Sequence, residues 1–139
     1  MRHTILSVCA LVAVTLTASW IIAGEKAASL WRPDPRSAWK ASQASGRPLL
    51  LYVTSRHCPY CDLMERDTFS DPAVQELMRG SFEPVRVLAD QEPNLTRNLR
   101  VQAYPTTVVV DSGNRVVASI KGYVQPRAFE QQLREASVQ

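Results

Sequence analysis

Two cysteines separated by two residues, Cys58 and Cys61, constrain the fold of this chain more than any other feature. They follow Leu49–Val53, an uninterrupted apolar run of strand length, and precede a segment that favours helix. Pro59 suits the first position of a helix, because its φ is already helical and its missing N–H would have had no partner there. The pattern therefore predicts a buried strand, a short loop and a helix that begins at the cysteines.

A cysteine pair at the start of a helix can carry redox chemistry. Only a thiolate is a good nucleophile, and the free N–H groups and dipole of a helix start lower the pKa of a thiol placed there. Cys58 is predicted to occupy that place. Cys61 then lies one turn further on the same side, near enough to close a disulfide or to resolve a mixed one.

Two other interpretations of the pair fit less well. A structural zinc ion needs four ligands, and the further Cys and His candidates are Cys9, His3 and His57. The first two lie in the apolar amino-terminal segment, and His57 adjoins Cys58, which makes a shared tetrahedron awkward. The sequence therefore predicts no structural metal site. Inert core cysteines are disfavoured because polar residues surround the pair, namely Thr54, Ser55, Arg56 and Asp62.

The length of 139 residues allows one domain with its own core after a targeting segment is set aside. The net charge is +3, and 15 basic and 13 acidic residues remain without the single arginine of Met1–Gly24. The basic residues are scattered rather than clustered, so we expect no nucleic-acid binding.

The amino-terminal segment predicts export. Residues 5–23 form an uncharged apolar run after Arg2, and the first acidic residue is Glu25. Met1–Gly24 is therefore predicted to be either a signal peptide or a membrane anchor. Both remain open. The run is longer than a usual signal core and lacks a good cleavage site, which favours an anchor, whereas the four basic residues from Lys26 to Lys40 disfavour an anchor with its domain outside. We expect membrane contact only through this segment, if it is not removed.

After a connector over residues 25–35, residues 36–139 predict a single α/β domain. Arg36–Ser45 favours a helix with Trp39 as its one large apolar anchor, and Gly46 ends it. The later elements are a helix from Pro72 with Val74, Leu77 and Met78 as its core face, a strand over Phe82–Ala89, a short helix over Leu95–Leu99, an antiparallel hairpin of Thr106–Val110 and Val116–Ile120, and a last helix from Pro126.

This order of elements resembles the thioredoxin superfamily over about Trp39–Leu133. Cys58–Cys61 together with Glu65 and Thr68–Pro72 is similar to exported proteins related to the carboxyl-terminal domain of bacterial thiol:disulfide interchange proteins. The dipeptide Pro59–Tyr60 is typical of glutaredoxins. The resemblance implies a thioredoxin fold, with a mixed sheet of four to five strands flanked by helices. It also implies a periplasmic thiol-disulfide oxidoreductase with no cofactor, acting on protein or small-molecule disulfides.

The resemblance further implies a substrate-binding loop at Tyr104, Pro105 and Thr106. In the family the corresponding proline is cis and lies against the dithiol, and it turns the preceding backbone outward. Carried over, Tyr104 would pair with a substrate chain as a neighbouring strand does.

Two positions depart from the family pattern. His57 and Tyr52 stand where thioredoxins commonly carry a tryptophan and a buried acid. Without the acid, Cys61 has no evident internal base. A positively charged His57 would favour the Cys58 thiolate and with it the reduced form, although His57 can equally line the loop and contact substrate. Tyr60 is expected to be an exposed contact residue.

The sequence favours a reductase over an oxidase without fixing the direction, and an exported reductase needs an electron donor, such as a membrane protein. Two functions from other classes remain open. Cys58 and Cys61 could carry Cu(I), which thiolates bind well. Alternatively, the groove beside Pro105 could bind peptides without catalysis.

Overall fold

The computed structural model describes residues 29–137, and the predicted export segment lies outside this range. Four strands form one mixed sheet in the order β2-β1-β3-β4, in which β1 runs parallel to β2 and antiparallel to β3. This confirms the predicted α/β architecture with a central mixed sheet. The strands are β1 (Leu49–Thr54), β2 (Glu83–Leu88), β3 (Thr106–Val110) and β4 (Val116–Lys121).

Helices cover both faces of the sheet. A π-helical turn over Met64–Thr68 continues the second helix and was not predicted from the sequence. Across residues 29–137, no helix has the length and apolar character to cross a bilayer. The helices are α1 (Pro35–Ser45), α2 (Pro59–Leu63), α3 (Pro72–Ser81), α4 (Pro93–Asn98) and α5 (Pro126–Ser137).

β1 is buried at every position, as predicted for a central strand. Successive side chains point to opposite faces of a strand, so β1 contributes to two core clusters. Leu50 and Tyr52 belong to the cluster that includes α3 and α5 residues. Leu49, Leu51 and Val53 belong to the cluster beneath α1 and α4. Covered in this way, the strand ends at a fixed place, from which the chain enters the cysteine loop.

The prediction that Trp39 anchors α1 is wrong. Its side chain is 47% exposed, whereas Ala38 and Ser42 are buried against the sheet. Residues four apart share one face of a helix, and the small side chains at these two positions allow the backbone of α1 to approach the sheet closely. Trp39 lies about 100° further around the helix, at the rim of a groove that Leu95 and Val116 also line.

A buried carboxylate ties the connector to the end of the sheet opposite the cysteines. Glu83 is 1% exposed and begins β2. It accepts hydrogen bonds from Arg32 Nε at 2.8 Å, Arg47 Nε at 3.0 Å and Ser45 Oγ at 3.1 Å. Burial by itself raises the pKa of Glu83, but the hydrogen bonds from Arg47, Arg32 and Ser45 outweigh it and hold the pKa below its usual value.

Replacement of Glu83 by Gln is expected to lower the free energy of unfolding at pH 7 by about 2 kcal/mol, because the two guanidinium groups lose a charged acceptor. The expected loss is smaller than for a fully buried ion pair, since both arginine side chains are partly exposed. The depressed pKa gives a contribution that is present above the ordinary value of 4.5 and is lost as the pH falls below it. The difference from wild type should therefore shrink towards pH 3 in urea titrations. Glu76→Gln, at an exposed position of α3, serves as the control, and an equal loss in both variants would contradict the assignment.

Candidate functional site

The two cysteines lie where the sequence predicts, at the start of α2. Cys58 is the N-cap and Pro59 the first helical residue. The cysteines are joined as a disulfide with 5.2 Å between their Cα atoms. Cys58 is partly buried, whereas Cys61 is only 2% exposed. Of the two cysteines, Cys58 is therefore the more accessible from solvent.

The helix start supplies polarity at the outer sulfur. The backbone N–H of Cys61 points at Sγ of Cys58 with an N···S distance of 3.2 Å. The same N–H and that of Asp62 donate to the Cys58 carbonyl oxygen at 3.0 and 3.1 Å. After reduction of the disulfide, an amide directed at Sγ stabilises negative charge on that sulfur. The arrangement suits Cys58 as the attacking thiolate.

The loop between β1 and α2 is folded around His57. This residue is exposed and has a φ of 55°, a left-handed conformation that is uncommon outside glycine. Arg56 beside it forms an ion pair with Asp90, which lies in the loop that follows β2, at an N···O distance of 3.1 Å. The short left-handed turn brings the chain from the buried strand directly to the N-cap at Cys58.

Tyr52 lies beneath the inner cysteine. It is fully buried, and its hydroxyl donates to the Cys61 carbonyl oxygen at 3.2 Å. Burial raises the pKa of the Tyr52 phenol, and the nearby Glu65 carboxylate raises it further. The sequence indicated only that an acid is missing here. The structure shows a neutral hydrogen-bond donor in its place, bound to the backbone of the dithiol helix.

An aromatic residue of the predicted connector supports this tyrosine. The ring centroid of Trp31 lies 5.8 Å from that of Tyr52 and 5.0 Å from that of Phe69, and the latter pair meets edge to face. The Arg86 guanidinium lies over the Trp31 ring at 5.4 Å and also pairs with Glu65 at 3.1 Å. The connector thus contributes to the core under the dithiol, a role that its composition did not indicate.

The predicted substrate loop lies at the same end of the sheet as the cysteines. Thr106 pairs with Val53 near the end of β1, and the peptide bond between Tyr104 and Pro105 is cis. Tyr104 is partly buried against both core clusters. Thr106 is 2% exposed and donates to the Ala103 carbonyl oxygen at 2.8 Å, so its side chain supports the loop from within.

A second loop at this end, residues 122–125, was missed by sequence reasoning. The N–H of Gly122 donates to the Pro105 carbonyl oxygen at 2.7 Å. Tyr123 and Val124 pack against the core cluster that contains Cys61. Gly122 has a φ of 79°, a left-handed conformation that glycine adopts readily. This glycine at the end of β4 was the signal in the sequence that could have indicated the loop.

Tyr60 lies on the helix that begins at Cys58, and its ring is exposed as predicted, at 64%.

Over residues 29–137, no three His, Cys, Asp or Glu side chains converge as a metal-binding group would require.

The sequence profile of a thioredoxin-like domain matches residues 35–137. A thioredoxin from Thermus thermophilus is 33% identical and superimposes with a TM-score of 0.70, covering 78% of this chain and 86% of that one. The carboxyl-terminal domain of Neisseria meningitidis DsbD, in its reduced form, shares the fold with a TM-score of 0.63 and 18% identity, over 73% of this chain and 92% of that one.

Longer relatives match as well. The thiol:disulfide interchange protein DsbD of Pectobacterium atrosepticum is 31% identical over 98 residues, which are 67% of this chain and 17% of that protein. The chain thus spans about a sixth of the length of such relatives. A mixed sheet with a cysteine pair at the start of a helix is the arrangement of the thioredoxin fold. The chain belongs to the thioredoxin-like family.

Replacement of Tyr52 by Phe removes one buried hydrogen bond and is expected to lower the free energy of unfolding by about 1 kcal/mol at pH 7. The loss is no larger because the Cys61 carbonyl keeps its helical partner, the N–H of Met64. The raised phenol pKa means that the wild-type advantage is present below about pH 10 and is lost as the pH rises further. Urea unfolding at pH 7 and pH 10.5 measures both effects. Tyr60→Phe, at an exposed ring, should change neither, and a pH-independent difference for Tyr52→Phe would be inconsistent with the burial argument.

Proposed function

We propose that the protein catalyses thiol-disulfide exchange on exported protein disulfides through Cys58 and Cys61, and that it works as a reductase. The observation that carries the proposal is the asymmetry of the pair. Cys58 is partly accessible and receives the Cys61 amide at its sulfur, whereas Cys61 is buried one turn behind it. One sulfur is therefore suited to attack and the other to resolution.

In the proposed reaction, the Cys58 thiolate attacks one sulfur of a substrate disulfide. A mixed disulfide forms, and the other substrate sulfur leaves as a thiolate that takes up a proton. The Cys61 sulfur, after losing its proton, attacks Cys58 Sγ and displaces the remaining substrate thiol. The substrate gains two electrons and two protons, and the cysteine pair becomes the disulfide. A reduced dithiol on a redox partner must then regenerate the enzyme by the same steps in reverse.

The residues around the pair have separate roles in this proposal. Pro59 fixes the helix start behind Cys58. The backbone at Tyr104 and Pro105 binds an extended substrate chain, and the exposed ring of Tyr60 contacts it. His57, exposed beside Cys58, supplies positive charge when protonated and favours the thiolate.

The location and the electron donor are part of the same proposal. Met1–Gly24 serves as a signal peptide or anchor, residues 25–35 lead out of it, and residues 36–139 form the thioredoxin-like domain. The electron source in this proposal is a membrane-bound redox partner, and similarity to thiol:disulfide interchange proteins supports exchange with a redox partner. Fractionation of cells that express the full chain distinguishes a released periplasmic domain from one tethered to the inner membrane, and a cytoplasmic product would exclude both.

The roles of the two cysteines are tested in the full chain with Cys9→Ser as the background, so that no other thiol interferes. Cys58→Ser is expected to lower insulin reduction by more than about 100-fold, because the attacking thiolate is lost. Cys61→Ser should instead accumulate a mixed disulfide that is visible on a non-reducing gel and by mass spectrometry. Retained activity of Cys58→Ser, with Cys9→Ser alone fully active, would refute the assignment.

The direction of electron flow is tested by equilibration with glutathione buffers. Reducing dithiols of the thioredoxin type lie near about −270 mV, and strongly oxidising ones near about −120 mV. We expect a midpoint potential below about −200 mV, read from the fraction of oxidised protein after acid quenching and thiol alkylation. A midpoint near that of the oxidising group would reverse the proposed direction and leave the cysteine roles intact.

A further inference from the structure

The π-helical turn lies directly after the dithiol helix. Its defining hydrogen bond runs from the N–H of Phe69 to the carbonyl oxygen of Met64 at 2.9 Å, five residues back. Such turns are rare and occur frequently at functional sites. Here the turn ends at Thr68, two helical turns beyond Cys61, where a threonine is fully buried.

The Thr68 side chain makes a contact that nothing in the exchange chemistry requires. Its hydroxyl donates to the Val124 carbonyl oxygen at 2.6 Å, across 56 residues of sequence. The preceding residue makes a second contact to the same loop, because the Tyr123 hydroxyl donates to Asp67 Oδ2 at 3.4 Å. Both contacts join the end of the π-helical turn to residues 122–125.

The same loop is joined to the substrate-binding loop on its other side. Gly122 donates to the Pro105 carbonyl oxygen at 2.7 Å, and β4 pairs with β3 immediately before this point, at Thr106 and Lys121. Tyr123 and Val124 pack against the cluster of Cys61, as do Cys58 and Tyr104. Hydrogen bonds therefore connect residues 122–125 both to the Pro105 loop and to the end of the π-helical turn that continues the dithiol helix.

We propose that Thr68 is a positioning residue that holds residues 122–125 as one wall of the substrate groove, and that this wall selects extended polypeptide disulfides over small ones. The inference rests on the proposed exchange function. An extended chain that pairs with the Tyr104 backbone passes along the neighbouring loop and needs that loop fixed in place. A disulfide of the size of oxidised glutathione needs only the Cys58 sulfur.

Thr68 is separated from the chemistry itself. It lies seven residues after Cys61, about 10 Å along a helix axis, and its hydroxyl is bonded to Val124. Removal of that hydroxyl should therefore alter the binding of a polypeptide while leaving the stability of the Cys58–Cys61 disulfide unchanged. A general structural defect would alter both.

The test compares Thr68→Val, which keeps the shape and removes the donor, with Thr68→Ser, which keeps the donor. Both are made in the full chain. Insulin serves as the polypeptide substrate and oxidised glutathione as the small one, and the midpoint potential is measured in parallel. For Thr68→Val we expect the KM for insulin to rise by up to about tenfold, the limit reached when substrate binding has to restore the loop order that one hydrogen bond supplied. The kcat for insulin and the rate with oxidised glutathione should stay within about twofold of wild type, and the midpoint potential should be unchanged. Thr68→Ser should match wild type in all of these.

Other outcomes overturn the inference in distinguishable ways. An equal loss on both substrates, a shifted midpoint potential or an unchanged KM for insulin would show that Thr68 does not select polypeptides. If Thr68→Val does not fold, Tyr123→Phe carries the test, because it removes the second contact at a partly buried position, and an unchanged KM there counts against the inference. A wild-type protein inactive on both substrates would refute the proposed function itself.

Discussion

The site depends on one directed contact, from the backbone amide of Cys61 to the sulfur of Cys58. That contact exists because Cys58 caps a helix whose first residue is Pro59. The helix begins at a fixed point because β1 is buried on both faces and is hydrogen-bonded to β2 on one side and β3 on the other, so both neighbouring strands hold its register. The position of the outer sulfur is therefore a consequence of how the central strand packs and pairs.

Beneath the dithiol, an aromatic layer takes the place of a buried charge. Tyr52 donates to the Cys61 carbonyl and packs against both Trp31 and Phe69, which also contact each other. A buried carboxylate at this position would be costly to ionise unless it were paired. A phenol with a raised pKa stays neutral and donates a hydrogen bond at any physiological pH. The hydrogen bond from Tyr52 to the inner cysteine is therefore kept throughout the physiological pH range, and the phenol does not exchange its proton there.

Above the dithiol, loops that are distant in sequence are joined to one another and form the surface proposed to bind substrate. Hydrogen bonds connect Pro105 to Gly122, and Val124 to Thr68. Together these bonds link residues 122–125 to both of the neighbouring segments. The placement of the loops and the placement of the Cys58 sulfur are therefore carried by different contacts within one small domain.

Residue patterns by themselves determined the α/β architecture, the buried central strand and the position of the cysteines at a helix start. They did so because apolar periodicity, proline positions and cysteine spacing act over a few residues. They could not reveal that α1 packs through Ala38 instead of Trp39, because that depends on how closely a helix approaches a sheet. Nor could they reveal the contact between Thr68 and Val124, because a bond between residues 56 apart forms only when the whole chain has folded.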